Sequence, residues 1–166
     1  MKAILVALIL ASLAPSSFAQ KKKIPIRLRV EAHDQESEPV RRLVPRMHQL
    51  IAESSQVTYD EESPLGLYLK MESANTGGLS KLFSSEVVTV LQIWFYRPAK
   101  LERVMRNDLD LPEAAARRAI VYLDSSVGAV DEDNAMSIAD SIFARTLRVI
   151  RESEITADRV RDDMDD

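Results

Sequence analysis

Hydrophobic and polar residues alternate along two stretches of the chain. Ile24, Ile26, Leu28, Val30 and Ala32 take turns with Pro25, Arg27, Arg29, Glu31 and His33, and Leu65, Leu67, Leu69 and Met71 with Gly66, Tyr68, Lys70 and Glu72. A period of two puts one set on each face of a strand, so both segments read as half-buried strands. Pro25 falls near the start of the first, where a missing N–H is tolerated. Val57 to Tyr59 has room for a short strand only. Glu86 to Arg97 differs, because Val87, Val88, Val90, Leu91, Ile93, Trp94, Phe95 and Tyr96 fill both parities. That pattern predicts a central strand, covered on both faces or with one face in the core and the other against a partner.

Two further stretches keep helical spacing. Val40, Leu43, Val44, Met47, Leu50 and Ile51 recur at three and four residues, with Ser37 as a plausible N-cap and Pro39 suited to the first turn. Pro45 interrupts the backbone bonding but not the stripe, which predicts a kink or a late start within one helix. Ala135, Ile138, Ala139, Ile142, Phe143, Thr146, Val149 and Ile150 form a second stripe, with Asp131 as the expected N-cap and Glu132 and Asp133 favoured by the helix dipole. Ser73 to Ser85 is polar, contains Gly77 and Gly78, and reads as a loop. Ala99 to Leu111 is charged and mixed and also reads as a loop. Pro112 to Arg118 has helix-start chemistry. Ile120 to Val130 reads as a strand with Ile120 and Tyr122 facing inward, and Val127 and Ala129 the next candidates. Together these elements predict an α+β fold: a two-layer sandwich with a mostly antiparallel sheet of about four to five strands and two main amphipathic helices on one face.

The first 19 residues stand outside that pattern. Lys2 precedes an apolar run from Ala3 to Leu13, too short to span a bilayer as a mature helix, and Ser17 and Ala19 supply the small-x-small pattern of a cleavage site before Gln20. The expected organisation is a signal peptide over residues 1–19, a single α+β domain over 20–155 and an acidic, disordered tail over 156–166. The expected destination is the periplasm or the extracellular space. With no cysteine there is neither a disulfide framework nor a lipidation cysteine, and no second long apolar run suggests a transmembrane anchor in the mature form.

The net charge of −4 is mild and argues against a dedicated nucleic-acid binder, which would carry a basic excess. The ends are polarised: Lys21, Lys22 and Lys23 near one, Asp162, Asp163, Asp165 and Asp166 at the other. These read as solvated ends, or more sharply as a head-to-tail contact within one molecule or between neighbours.

Catalytic equipment is sparse. His33 and His48 are the only histidines, and a zinc site would need distant carboxylates. Asp124, Ser125 and Ser126 adjoin, and with His33 they would offer a serine hydrolase its groups, but no Gly-x-Ser-x-Gly elbow is present. Asp131 to Asn134 resemble a calcium loop, yet Met136 and Ile142 stand where glycine and glutamate belong, so helix capping explains the acids. Asn75 to Lys81 lack the spacing of a phosphate-binding loop. Arg41–Arg42 and Arg117–Arg118 suit solvated helix faces or an anion clamp. No cofactor motif appears. The expectation is therefore a non-catalytic binding or envelope-assembly module with an envelope protein as partner, its contact surface at Trp94 and Tyr96 and the neighbouring loop with Asn75 and Lys81; the other reading of Trp94 and Tyr96 is helix-covered core. The alternatives are an envelope hydrolase using Ser125, Asp124 and His33, and a small-ligand carrier with an apolar cavity between helices and sheet.

Overall fold

A computed structural model describes residues 22–73, 87–116 and 119–165. The alternating segments form strands β1 (Ile24–Ala32) and β3 (Leu65–Ser73), and Val57–Tyr59 forms the short β2. The apolar segment forms β4 (Val88–Tyr96), and β5 spans Val121–Val130. One five-stranded sheet results, in the order β2-β1-β3-β4-β5. β1 runs parallel to β2 and β3, and the longer β3–β4 and β4–β5 ladders are antiparallel.

Helices α1 (Glu38–Glu53) and α4 (Ala135–Glu152) cover one face of this sheet. Pro45 sits inside α1, which continues through it as one helix. Its stripe buries Val40, Leu43, Met47 and Ile51, while α4 buries Ala135, Ala139, Ile142, Thr146, Val149 and Ile150. They meet Ile26 and Leu28 of β1, Leu65, Leu67, Leu69 and Met71 of β3, and Val88, Val90, Trp94 and Tyr96 of β4 in one core. Each fully buried large apolar side chain contributes roughly 1.5–3 kcal/mol relative to exposure, so this layer contact dominates the fold's stability.

Several local expectations change. Residues 99–111, read as loop, contain helix α2 (Ala99–Asn107), followed by the short α3 (Glu113–Ala116). The N-cap of α4 is Asn134, not Asp131. Asp131 and Asn134 bond reciprocally, each carboxyl or amide oxygen accepting the other's backbone N–H at 2.9 and 3.0 Å. Ser37 precedes α1 without a side-chain cap bond. The acidic segment read as a disordered tail holds helix α5 (Ala157–Asp165), anchored by fully buried Val160. Its start follows a reversal in which Ile155 N–H bonds Ile150 C=O and Glu154 N–H bonds Arg151 C=O. Glu154 takes φ 53° at the left-handed position of this Schellman motif, a place usually given to glycine. The start of β1 and helix α5 meet within the molecule: Lys22 pairs with Asp158 at 2.8 Å, and Arg161 donates to the Lys23 carbonyl at 3.0 Å.

Strand β5 carries the largest correction. Ile120, Tyr122 and Val127, expected or considered as inward residues, are 50, 58 and 67% exposed. Pairing with β4 puts Asp124 opposite Trp94, Ser126 opposite Gln92 and Gly128 opposite Val90, all on the helix side. A register shift at Trp94/Phe95 leaves Tyr122 opposite Phe95, on the other side. Around its middle the strand reverses the expected sides: Asp124 and Ser126 face the helices and Tyr122 and Val127 face away, while Val130 at its end remains in the core.

Candidate open-face contact site

From Arg27 onward, the side chains on the second face of the sheet are exposed or half-buried. The register arranges its side chains in rows across four strands. Arg27, Gly66, Phe95 and Tyr122 form the first row, and Arg29, Tyr68, Ile93 and Ser125 the second. Glu31, Lys70, Leu91 and Val127 form the third, and Glu72, Thr89 and Ala129 the fourth. These are the "polar" halves of β1 and β3 together with the second apolar parity of β4 and the exposed parity of β5.

Gly66 is needed where it stands. A Cβ there would lie 2.3 Å from a ring carbon of Phe95, so only glycine lets that ring lie across β3. The Arg27 guanidinium then sits 5.8 Å from the Phe95 centroid, and Arg29 sits 5.7 Å from that of Tyr68, both within cation–π range. The Tyr68 hydroxyl donates to Glu31 at 2.6 Å, and acceptance by that carboxylate, with some desolvation, raises the phenol above its ordinary range. Lys70 and Glu72 pair at 2.7 Å. Arg27 and Arg29 form no ion pair among the described residues, and the Nε of Arg27 is buried without a hydrogen-bond partner. A shallow groove of about 440 Å³ runs between these groups, lined by Arg27, Arg29, Tyr68, Ile93, Phe95 and Ile120. The face thus carries Arg27, Arg29 and Arg97 toward one end, Glu31 with the paired Lys70 and Glu72 toward the other, and an apolar strip along β4 and β5.

The outer edge of β5 is closed at its middle. Arg145 of α4 grips Asp124 with hydrogen bonds of 2.8 and 2.9 Å and donates to the Ser125 carbonyl at 3.0 Å. The Ser125 N–H donates to Asp124 at 2.8 Å. Both ladder groups of Ser125 are therefore occupied by side chains, which obstructs addition of another strand there. The Arg145 hydrogen bond outweighs desolvation and holds the Asp124 carboxyl below its ordinary range.

The residues expected to form the contact surface do not all reach it. Trp94 and Tyr96 are 1 and 2% exposed, because the even-numbered parity of β4 is the one facing the helices. Trp94 Nε1 donates to Thr146 of α4 at 2.9 Å, and the Tyr96 hydroxyl donates to Asp163 of α5. Burial, reinforced by Asp163, pushes the Tyr96 phenol strongly up. Asn75, Lys81, Arg117 and Arg118 lie outside the described residues. The hydrolase groups are not assembled. Adjacent strand residues point to opposite faces, which separates Ser125 from Asp124. His33 is three strands and four residues from Ser125, roughly 14 Å across and 13 Å along the sheet. His48 instead meets Tyr59 edge-on at 5.8 Å, and Arg42 is engaged by Glu38 and Glu132. Among the described residues, no three His, Asp or Glu side chains gather as metal ligands, and no helix is long and apolar enough to cross a membrane. A separate cleft of about 740 Å³ lies between β1, β2 and the α4–α5 corner, with Ile24, Val57, Ile150 and Ile155 among its walls.

Arg27, Arg29 and Tyr68 were missed as site residues because each occupies the polar half of an alternating strand. The available signal was the coincidence of two arginines two residues apart, a tyrosine on a polar parity, and a neighbouring strand apolar on both parities. Comparison of the chain with known protein families, with curated proteins and with solved structures finds no match.

Proposed function

We propose that the chain is an exported, non-catalytic binding or envelope-assembly module that meets a protein partner through the open face of its sheet. The observation that carries this reading is the exposure of apolar side chains from β5 and its approach on the open face. Ile120, Tyr122 and Val127 stand exposed beside half-buried Phe95, Ile93 and Leu91, while Asp124 and Ser126 of the same strand face the helices. A contiguous apolar strip of this kind is stabilised when covered, at roughly 25 cal/mol per Å² removed from water. The separation of Ser125, Asp124 and His33 supports a non-catalytic role, and the leader-like residues 2–19 support export. The test is the double variant Tyr122→Asp/Val127→Asp in the native host. A parent that migrates with a partner on native gels, and a folded variant that does not, support the proposal; a parent that migrates alone, or a complex unchanged in the variant, refutes it.

The 740 Å³ cleft favours a second reading, a carrier of a small amphipathic ligand, since Lys22, Arg151 and Asp158 line it beside Ile24, Val57 and Ile155. Uptake of a fluorescent fatty acid by the parent, abolished by Ala157→Trp, would support it, and no uptake by the folded parent would exclude it.

A further inference from the structure

We infer that the partner of the open face is a second copy of this chain, the two sheets stacked face to face about a two-fold axis that runs across the strands. The inference rests on the reading of that face as a contact surface and adds the identity of the occupant.

The argument comes from the rows. A two-fold axis across the strands, lying between the second and third rows, keeps each strand above its own counterpart and reverses its direction. The second row of one copy then faces the third row of the other. Arg29 meets the partner copy's glutamate at position 31, Ile93 meets leucine at 91, and Ser125 meets valine at 127. The first row faces the fourth, so that the large Tyr122 meets the small alanine at 129 and Phe95 meets threonine at 89. Arg29 of each face thereby covers Glu31 of the other at two symmetric places, Tyr68 covers the paired Lys70, and the apolar strip along β4 and β5 covers itself. An axis along the strands would instead set the arginines of β1 over the apolar side chains of β5. Stacked sheets tolerate this arrangement at about 10 Å separation with a small rotation.

The edge of β5 offers no equal alternative. Antiparallel pairing of two β5 edges about Val127 would need the ladder groups of Ser125, which Asp124 and Arg145 already occupy. Four strands over seven residues give a flat footprint of roughly 19 by 23 Å on each copy, near the small end of specific interfaces, so the dimer should depend on concentration.

The experiment is sedimentation velocity of the full mature chain, alone and as charge-swapped variants. The parent is expected to pass from monomer to dimer at micromolar concentration. Arg29→Glu puts like charges at both symmetry-related contacts, as does Glu31→Arg, and each alone should weaken dimerisation at least about tenfold. Mixed one to one, the two variants present opposite charges at both contacts and should recover a heterodimer. Circular dichroism checks that each variant is folded; if either is not, Val127→Asp and Ser125→Asp in the parent background replace the pair, and each should abolish the dimer. A parent that stays monomeric at every concentration overturns the inference while leaving open-face binding of another protein intact. A dimer equally strong in both single variants, or no recovery on mixing, also overturns it.

Discussion

Arg145 holds Asp124 through two parallel hydrogen bonds, Nε to Oδ2 at 2.8 Å and Nη2 to Oδ1 at 2.9 Å, and lies 5.1 Å from the ring centroid of Trp94 beneath it. The pair joins α4 to the outermost long strand of the sheet and closes that strand's edge at Ser125. Because the folded-state pKa of Asp124 is depressed, its contribution is present above the unfolded value near 3.9 and lost as pH falls through the folded value. Both side chains are about 30% exposed, so the bridge is worth roughly 1 kcal/mol after screening. Asp124→Asn should therefore lower the urea midpoint at pH 7, and its gap from the parent should vanish as the pH falls below 4. Arg145→Ala should aggregate faster when shaken, since it frees the Ser125 carbonyl at that edge; a parent-like aggregation rate would refute the edge-closing role.

The single tryptophan reports on the core. Thr146 accepts from Trp94 Nε1 and donates to the Ile142 carbonyl, both at 2.9 Å. Thr146→Val keeps the shape and orphans a buried donor, at a cost of about 1–3 kcal/mol. Equilibrium unfolding followed by tryptophan emission should show that loss, whereas Thr146→Ser should remain close to the parent in hydrogen bonding.

Glu154 occupies left-handed backbone without being glycine. Glu154→Gly should stabilise the protein by about 1 kcal/mol, and Glu154→Val should destabilise it by more. Thermal unfolding of the two variants should shift in opposite directions.

Helix α5 is a working part of the fold. Val160 is fully buried, and Asp163 accepts both from Tyr96 and from the backbone N–H of Ala99 at 3.1 Å, tying α5 to β4 and to the start of α2. Val160→Asp should cost several kcal/mol, because it buries an unpaired carboxylate, and Asp163→Asn should cost less. Denaturant unfolding that shows neither effect would mean that α5 does not dock.

The two-layer plan was legible because β1, β3, α1 and α4 each repeat one period clearly. Residues 99–107 were not, since Lys100, Arg103 and Arg106 dilute the stripe made by Leu101 and Met105. The helix after Thr156 was hidden by its acids, although Val160 and Met164 stand four residues apart as a helical pair. For β5 the period was legible but the side was not. Alternation fixes that Tyr122 and Asp124 belong to different sets, while which set faces the helices depends on the irregularity opposite Trp94 and Phe95 and on Arg145 reaching down from α4. The same ambiguity left Trp94 and Tyr96 open between core and contact surface and kept Arg27, Arg29 and Tyr68 out of view, since a one-residue change of parity exchanges the two faces of a strand.

Site-specific photo-crosslinking in the native host shows whether the open face of the sheet is a contact surface. A photoreactive side chain at Val127, 67% exposed on the open face, is compared with one at Ala144, exposed on the outer side of α4. A discrete adduct at position 127 and none at 144 is the result expected of an open-face contact, and the adduct's mass identifies a second copy or another protein. No adduct at 127, or equal adducts at both positions, would contradict it.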